Sequence, residues 1–153
     1  MATIGEMYQR VNTMHNRLPD QVETIVNSMA DKIIALNTDG QLFKGEDNEG
    51  DEIGRYSRLT EEISQGRTGK GYPKREGELF NAYDTGGLFD SIDAIFKDNN
   101  LHFFTTDPRH PFFQKNPRQA LKLMGLTPEN QHKLNYEMIK PLLLKWINKS
   151  ILR

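Results

Sequence analysis

The chain has 153 residues, 36% hydrophobic and 27% charged, with 20 Lys+Arg against 21 Asp+Glu and no cysteine. That length fits one domain, and a formal net charge of -1 excludes a protein that coats nucleic acid or an anionic membrane through overall charge. Zero cysteine removes disulfides, thiolate zinc sites, iron–sulfur clusters and cysteine nucleophiles together.

The mean hydropathy of -0.70 points to long loops or to surfaces completed by partners. The first ten residues lack the basic and apolar regions of a secretory signal, and Leu142-Leu143-Leu144 is far short of a membrane span. The expectation is a soluble protein made in the cytosol, with no membrane association.

Residues 3–36 read as helix interrupted once, at Pro19, which follows the polar stretch His15-Asn16-Arg17. Beyond it Val22, Ile25, Val26, Met29, Ile33 and Leu36 recur at helical spacing, which makes an amphipathic helix. Asn37-Thr38-Asp39-Gly40 signals its end. A hairpin is expected over 41–57, with strands at Gln41–Gly45 and Ile53–Ser57 around a solvated acidic tip, Glu46 to Glu52. Residues 58–78 read as a long basic loop, rich in glycine and holding Arg67, Lys70, Lys74 and Arg75.

A second hairpin region spans 88–106, because Ile92, Ala94, Phe96 and then Leu101, Phe103, Thr105 alternate with polar residues across Lys97-Asp98-Asn99-Asn100. A proline-rich connector, Asp107–Pro117, carries Phe112-Phe113, and a short helix is expected from Arg118 to Met124. Thr127 as N-cap and Pro128 at the first helical position start a last helix over 127–150, with Leu134, Met138, Leu142, Trp146 and Ile147 on one face. The fold class is therefore α+β: an N-terminal amphipathic helix, a small antiparallel sheet of hairpins and a C-terminal helix.

Few constellations suggest chemistry. Asp84-Thr85-Gly86 matches the triplet of retroviral-type aspartic proteases, where two such loops meet across a dimer and the paired carboxylates share a proton. Asn81-Ala82-Tyr83 is a poor strand to precede such a triplet, so Asp84 or Thr85 reads instead as the cap of a helical turn. Asp47, Glu49 and Asp51 occupy the first, third and fifth positions of a calcium loop, but Glu52 and Arg58 stand where that loop needs glycine and a bidentate glutamate. Gly66, Gly69, Lys70 and Gly71 lack the spacing of a phosphate loop. His15, His102, His110 and His132 include no i, i+4 pair for a metal. No catalytic, cofactor-binding or metal residue is expected, and no enzymatic activity.

The order of parts carries a resemblance. The pattern Leu-Phe-x-Gly-x-Asp-x-x-Gly-x-x-Ile-Gly-x-Tyr-Ser (Leu42–Ser57) is followed by Tyr-Asp-Thr-Gly-Gly-Leu-Phe-Asp-Ser-Ile (Tyr83–Ile92), and Met-Gly-Leu-Thr-Pro-Glu-Asn (Met124–Asn130) leads into the last helix. This resembles small neck and tail virion proteins of tailed bacteriophages and prophages, notably of Bacteroidetes and including crAss-like phages. It is similar, more distantly, to the head–tail joining, tail-completion and tail-terminator class, whose Tyr-Ala-x-x-His-Glu-Phe-Gly stretch is replaced here by Asp107–Pro117.

The resemblance implies a structural protein of the virion, made in the host cytoplasm, that forms a homo-oligomeric ring. Its partners would be portal, connector and tail proteins, with contact to packaged DNA. Arg67, Lys70, Lys74 and Arg75 are then the candidate loop facing DNA in the lumen or an acidic neighbour. Two alternatives from other classes are a dimeric aspartic protease built on Asp84 and a small cytosolic binding module.

Overall fold

The computed structural model describes residues 3–66, 71–108 and 122–151. Helix α1 (Ile4–Asn27) opens with a reciprocal capping box, the Thr3 hydroxyl accepting from the Glu6 N–H while the Glu6 carboxylate accepts from the Thr3 N–H. That backbone donor holds the Glu6 carboxyl below its ordinary range. The helix runs unbroken through Pro19, a correction to the expected interruption. Pro19 lies on an exposed side of the helix, where the carbonyl it leaves unbonded can turn to water.

The break falls at Ser28-Met29 instead. There the Met29 N–H turns back to the Val26 carbonyl, the Ser28 hydroxyl bonds the Ile25 carbonyl, and α2 (Ala30–Thr38) departs. The next segment is not the expected strand pair. Leu42–Lys44 is a single 3₁₀ turn closed by Gly45 at φ 85°, where a Cβ would meet that of Leu79 at 2.7 Å. Only a single bridge, Glu46 to Glu52, joins the two arms, while Arg55 pairs with Leu79.

Residues 58–78 are not all loop either: Arg58–Gly66 forms helix α3. The Ser57 hydroxyl accepts the Thr60 N–H at its start, and i, i+4 pairs Arg58–Glu62 and Glu61–Gln65 support it. A short turn of helix, α4 (Gly87–Asp90), precedes strands β1 (Ile92–Lys97) and β2 (Asn100–Thr105). These pair antiparallel from Ile92 with Thr105 to Lys97 with Asn100. Asp98 and Asn99, at φ 52° and 60°, form the two-residue turn whose twist suits a hairpin.

The last helix, α5, begins at Pro128 with Thr127 as its cap. It passes through a π segment, Lys133–Ile139, and continues as α-helix over Lys140–Ile151. The wider turn adds a residue to the cycle, so the inward face runs Leu134, Met138, Ile139, Leu143. Leu142, expected to face inward, is 41% exposed. The helix expected from Arg118 lies mainly outside the described residues, as does most of the connector, and Lys122 to Met124 are not helical.

Two buried clusters share the partly buried Ile34 and Phe103. One joins α1, α2, β1 and α5 through Ile25, Ile33, Ala94 and Leu134; the other gathers Leu42, Ile53, Leu88, Ile92 and Leu123. A polar network fastens the 122–127 segment to α2. Asn37 donates to the carbonyls of Leu123 and Gly125, Gln41 donates to Gly125 and accepts from the Thr127 N–H, and Asn130 donates to the Leu36 carbonyl. Buried amides whose backbone partners come from a distant segment fix that segment's position, because leaving them unpaired is costly. The sequence shows Asn37 only as a helix-end residue, and its burial was not legible there.

Candidate functional site

Of the four cations expected on one loop, Arg67 and Lys70 lie outside the described residues. Lys74 does not face outward. Its ammonium lies 3.1 Å from Asp84 Oδ1 and 5.7 Å from the centre of the Tyr56 ring, with the two ionic side chains only 15% and 21% exposed. A cation so placed holds the chain together and is not free to meet phosphate. Arg75 is exposed.

The same pair answers for Asp84. It does not cap α4, whose N-cap is Gly86 at φ 90° with no side-chain bond, and neither does Thr85. Asp84 instead takes Lys74 on its carboxylate while its carbonyl accepts the Tyr72 N–H. Around this staple, Phe43, Tyr72, Tyr83 and Phe89 meet edge to face at 5.1–6.1 Å. Phe43 and Tyr72 remain partly open to solvent. Beneath, the Tyr56 hydroxyl donates to Asn81 Oδ1 at 2.8 Å, and burial pushes that phenol above its ordinary pKa.

The acidic tip is solvated at Glu49, Asp51 and Glu52, and it is also held in place. Asp47 Oδ1 accepts the Glu49 and Asp51 N–H groups, closing the turn on itself. Asn48 bonds the Lys122 and Met124 carbonyls, and Glu49 takes the Lys122 ammonium, which lifts the pKa of that lysine. The carboxylate oxygens of Asp47, Glu49 and Asp51 approach within 4.8 Å of one another, and two of the three are already engaged in these contacts.

Among the described residues, α1 carries a stripe of exposed apolar side chains. Ile4, Met7, Tyr8 and Val11 fall at i, i+3, i+4 and i+7, and are 89%, 50%, 72% and 46% exposed. They continue, one after another along the same side, the stripe that buries Ile25 and Val26. Helix α3 repeats the pattern on a smaller scale with Leu59 and Ile63, and the outer face of the hairpin does so with Ile95 and Phe104. Sequence reading found the covered half of the α1 stripe and missed the bare half, although the same spacing marks both.

No known protein family, no curated protein sequence and no solved structure matches the chain. No helix among the described residues is long and apolar enough to cross a membrane.

Proposed function

We propose that this chain is a structural protein of a tailed-phage neck or tail, assembling as a ring between the portal or head and the tail and contacting neighbours through faces its own fold leaves bare. The motif order of the sequence supports the virion reading. The observation that carries the assembly reading is the N-terminal half of α1: a properly capped helix presents four large apolar side chains in one stripe to water. Soluble monomers rarely keep contiguous apolar patches without a use for them, since burial stabilises by about 25 cal/mol per Å².

Bare apolar side chains on α1, α3 and the hairpin support this reading, since ring subunits bury such faces against their neighbours. Contact with DNA or an acidic neighbour in the lumen rests on Arg67, Lys70 and Arg75, without Lys74. The reading involves no catalysis. Mass spectrometry of purified particles tests it: the chain is expected at a ring-like copy number beside portal and tail proteins, and its absence from intact particles would overturn it.

A further inference from the structure

Helices α1 and α5 run antiparallel. Ile25 and Val26 of α1 pack with Leu134 near the start of α5, while the Arg10 guanidinium donates to the Ile151 carbonyl at its end. The N-terminal half of α1 carries its apolar stripe on one side. On a different side Arg10, Thr13 and Arg17 recur at i, i+3 and i+7 and form one wall of a cleft of about 470 Å³. Trp146 and Lys149 of α5 form the other wall.

Three cations line this cleft against one carboxylate, Glu6, which the capping box already engages at the Thr3 N–H. None of Arg10, Arg17 and Lys149 forms an ion pair with a described residue. Lys74 and Lys122, by contrast, are each matched with a carboxylate. Like charges gathered in one cleft repel one another and raise the local concentration of anions. Arg10 spends one donor of its guanidinium on the Ile151 carbonyl, two residues beyond Lys149, which draws cations of the two helices together.

We propose that the cleft binds a nucleoside phosphate, with the phosphate on Arg10, Arg17 and Lys149 and the base against Trp146. Charge density favours this anion. A terminal phosphate carries about -1.5 to -2 charges at pH 7 on three acceptor oxygens, which suits three cations supplied by two helices. A lone carboxylate carries one charge on two oxygens and would leave two of the cations unmatched. The half-buried Trp146 supplies a stacking surface, which a base uses and an acidic side chain does not. The volume of the cleft is that of a small-ligand site. A free nucleotide and the phosphorylated end of a nucleic acid strand share this chemistry. The inference does not depend on the virion reading, since a binding module would use the same cleft.

Trp146 is the only tryptophan of the chain, so its fluorescence reads the cleft directly. Adenosine monophosphate is expected to quench it to saturation at millimolar concentration; adenosine should not, and inorganic phosphate should compete with the nucleotide. The side chains of Arg17 and Lys149 are exposed and bond no described residue. Arg17→Gln and Lys149→Gln should therefore melt as the parent does, while each raises the half-saturating concentration by about tenfold. Tighter binding of a short single strand with a terminal phosphate would identify a strand end as the source, and equal binding a free nucleotide; both support the proposal. No saturable quenching by the nucleotide overturns it, as does equal quenching by adenosine or parental affinity in both variants. Displacement of the nucleotide by pentaglutamate at lower concentration than by inorganic phosphate also overturns it, and would identify an acidic polypeptide.

Discussion

The two halves of α1 carry one apolar stripe with one spacing, yet only the second half of the stripe is covered by its own chain; the N-terminal half of the helix meets the end of α5 through Arg10, which donates to the Ile151 carbonyl, and leaves its share of the stripe bare. Ile25 and Val26 sit against β1 and α5, whereas Ile4, Met7, Tyr8 and Val11 extend the same face into solvent. Helical periodicity therefore reports that a face will be covered; it does not report by what. For the covered half the partners are the hairpin and α5, and for the bare half we propose a neighbouring molecule.

The sharpest way to break this comparison is to remove the same atoms at both ends of the stripe. Ile25→Ala is expected to destabilise by about 2–5 kcal/mol in urea denaturation, the cost of a cavity in a packed core. Ile4→Ala should change stability by no more than about 0.5 kcal/mol, as exposed positions do. Equal losses would mean that the bare half is covered within the monomer. Next in size, Asn37→Ala strips the Leu123 and Gly125 carbonyls of a buried donor and should cost about 1–3 kcal/mol in the same assay. Its effect should concentrate on amide exchange in residues 122–127, while the N-terminal half of α1 stays unchanged.

Asn27→Ala removes the side chain that bonds both the N–H and the C=O of Phe96 on the β1 edge. A loss of about 1 kcal/mol is expected, with faster exchange of the Phe96 amide as its specific mark. An unchanged Phe96 rate would show that Asn27 does not shield that amide.

The smallest effect is a pH dependence. Burial holds the Tyr56 phenol above its unfolded pKa, so its contribution is fully present below the unfolded value of about 10 and is lost as pH rises through the folded one. Tyr56→Phe should therefore lose less stability than the parent between pH 9 and about 11, measured by thermal melts. An identical alkaline limb in both proteins would show that the phenol ionises as freely folded as unfolded.

Elements whose signals are local were legible in the sequence. The stripe from Val22 to Leu36, the turn at Asp98-Asn99 and the Thr127-Pro128 helix start all appear in the structure as alternation, turn chemistry and capping dictate. Helix α3 had comparable local signals, Ser57 as a cap and an Arg58–Glu62 pair, but the glycines after Gln65 masked them. The strand expected at Gln41–Gly45 fails because Gly45 reverses the chain, and alternation over so few residues does not distinguish a strand from a 3₁₀ turn. Leu143 replaces Leu142 because a π segment shifts the helical phase, and nothing in a spacing rule predicts that shift.

The candidate site was less legible than the fold. Lys74 and Asp84 are ten residues apart, and each suggested chemistry when considered alone; their mutual pairing depends on how the chain folds back between Tyr72 and Asp84. The bonding of Phe96 on the β1 edge by Asn27, 69 residues away, is likewise a tertiary fact.

The central claim, that the bare half of α1 exists for a neighbour, is tested most directly by incorporation of the triple variant Ile4→Ser, Met7→Ser, Tyr8→Ser into particles, quantified by mass spectrometry beside its melting temperature. The account predicts a folded protein that melts as the parent does and is lost from purified particles. A variant incorporated at the parental level would contradict it.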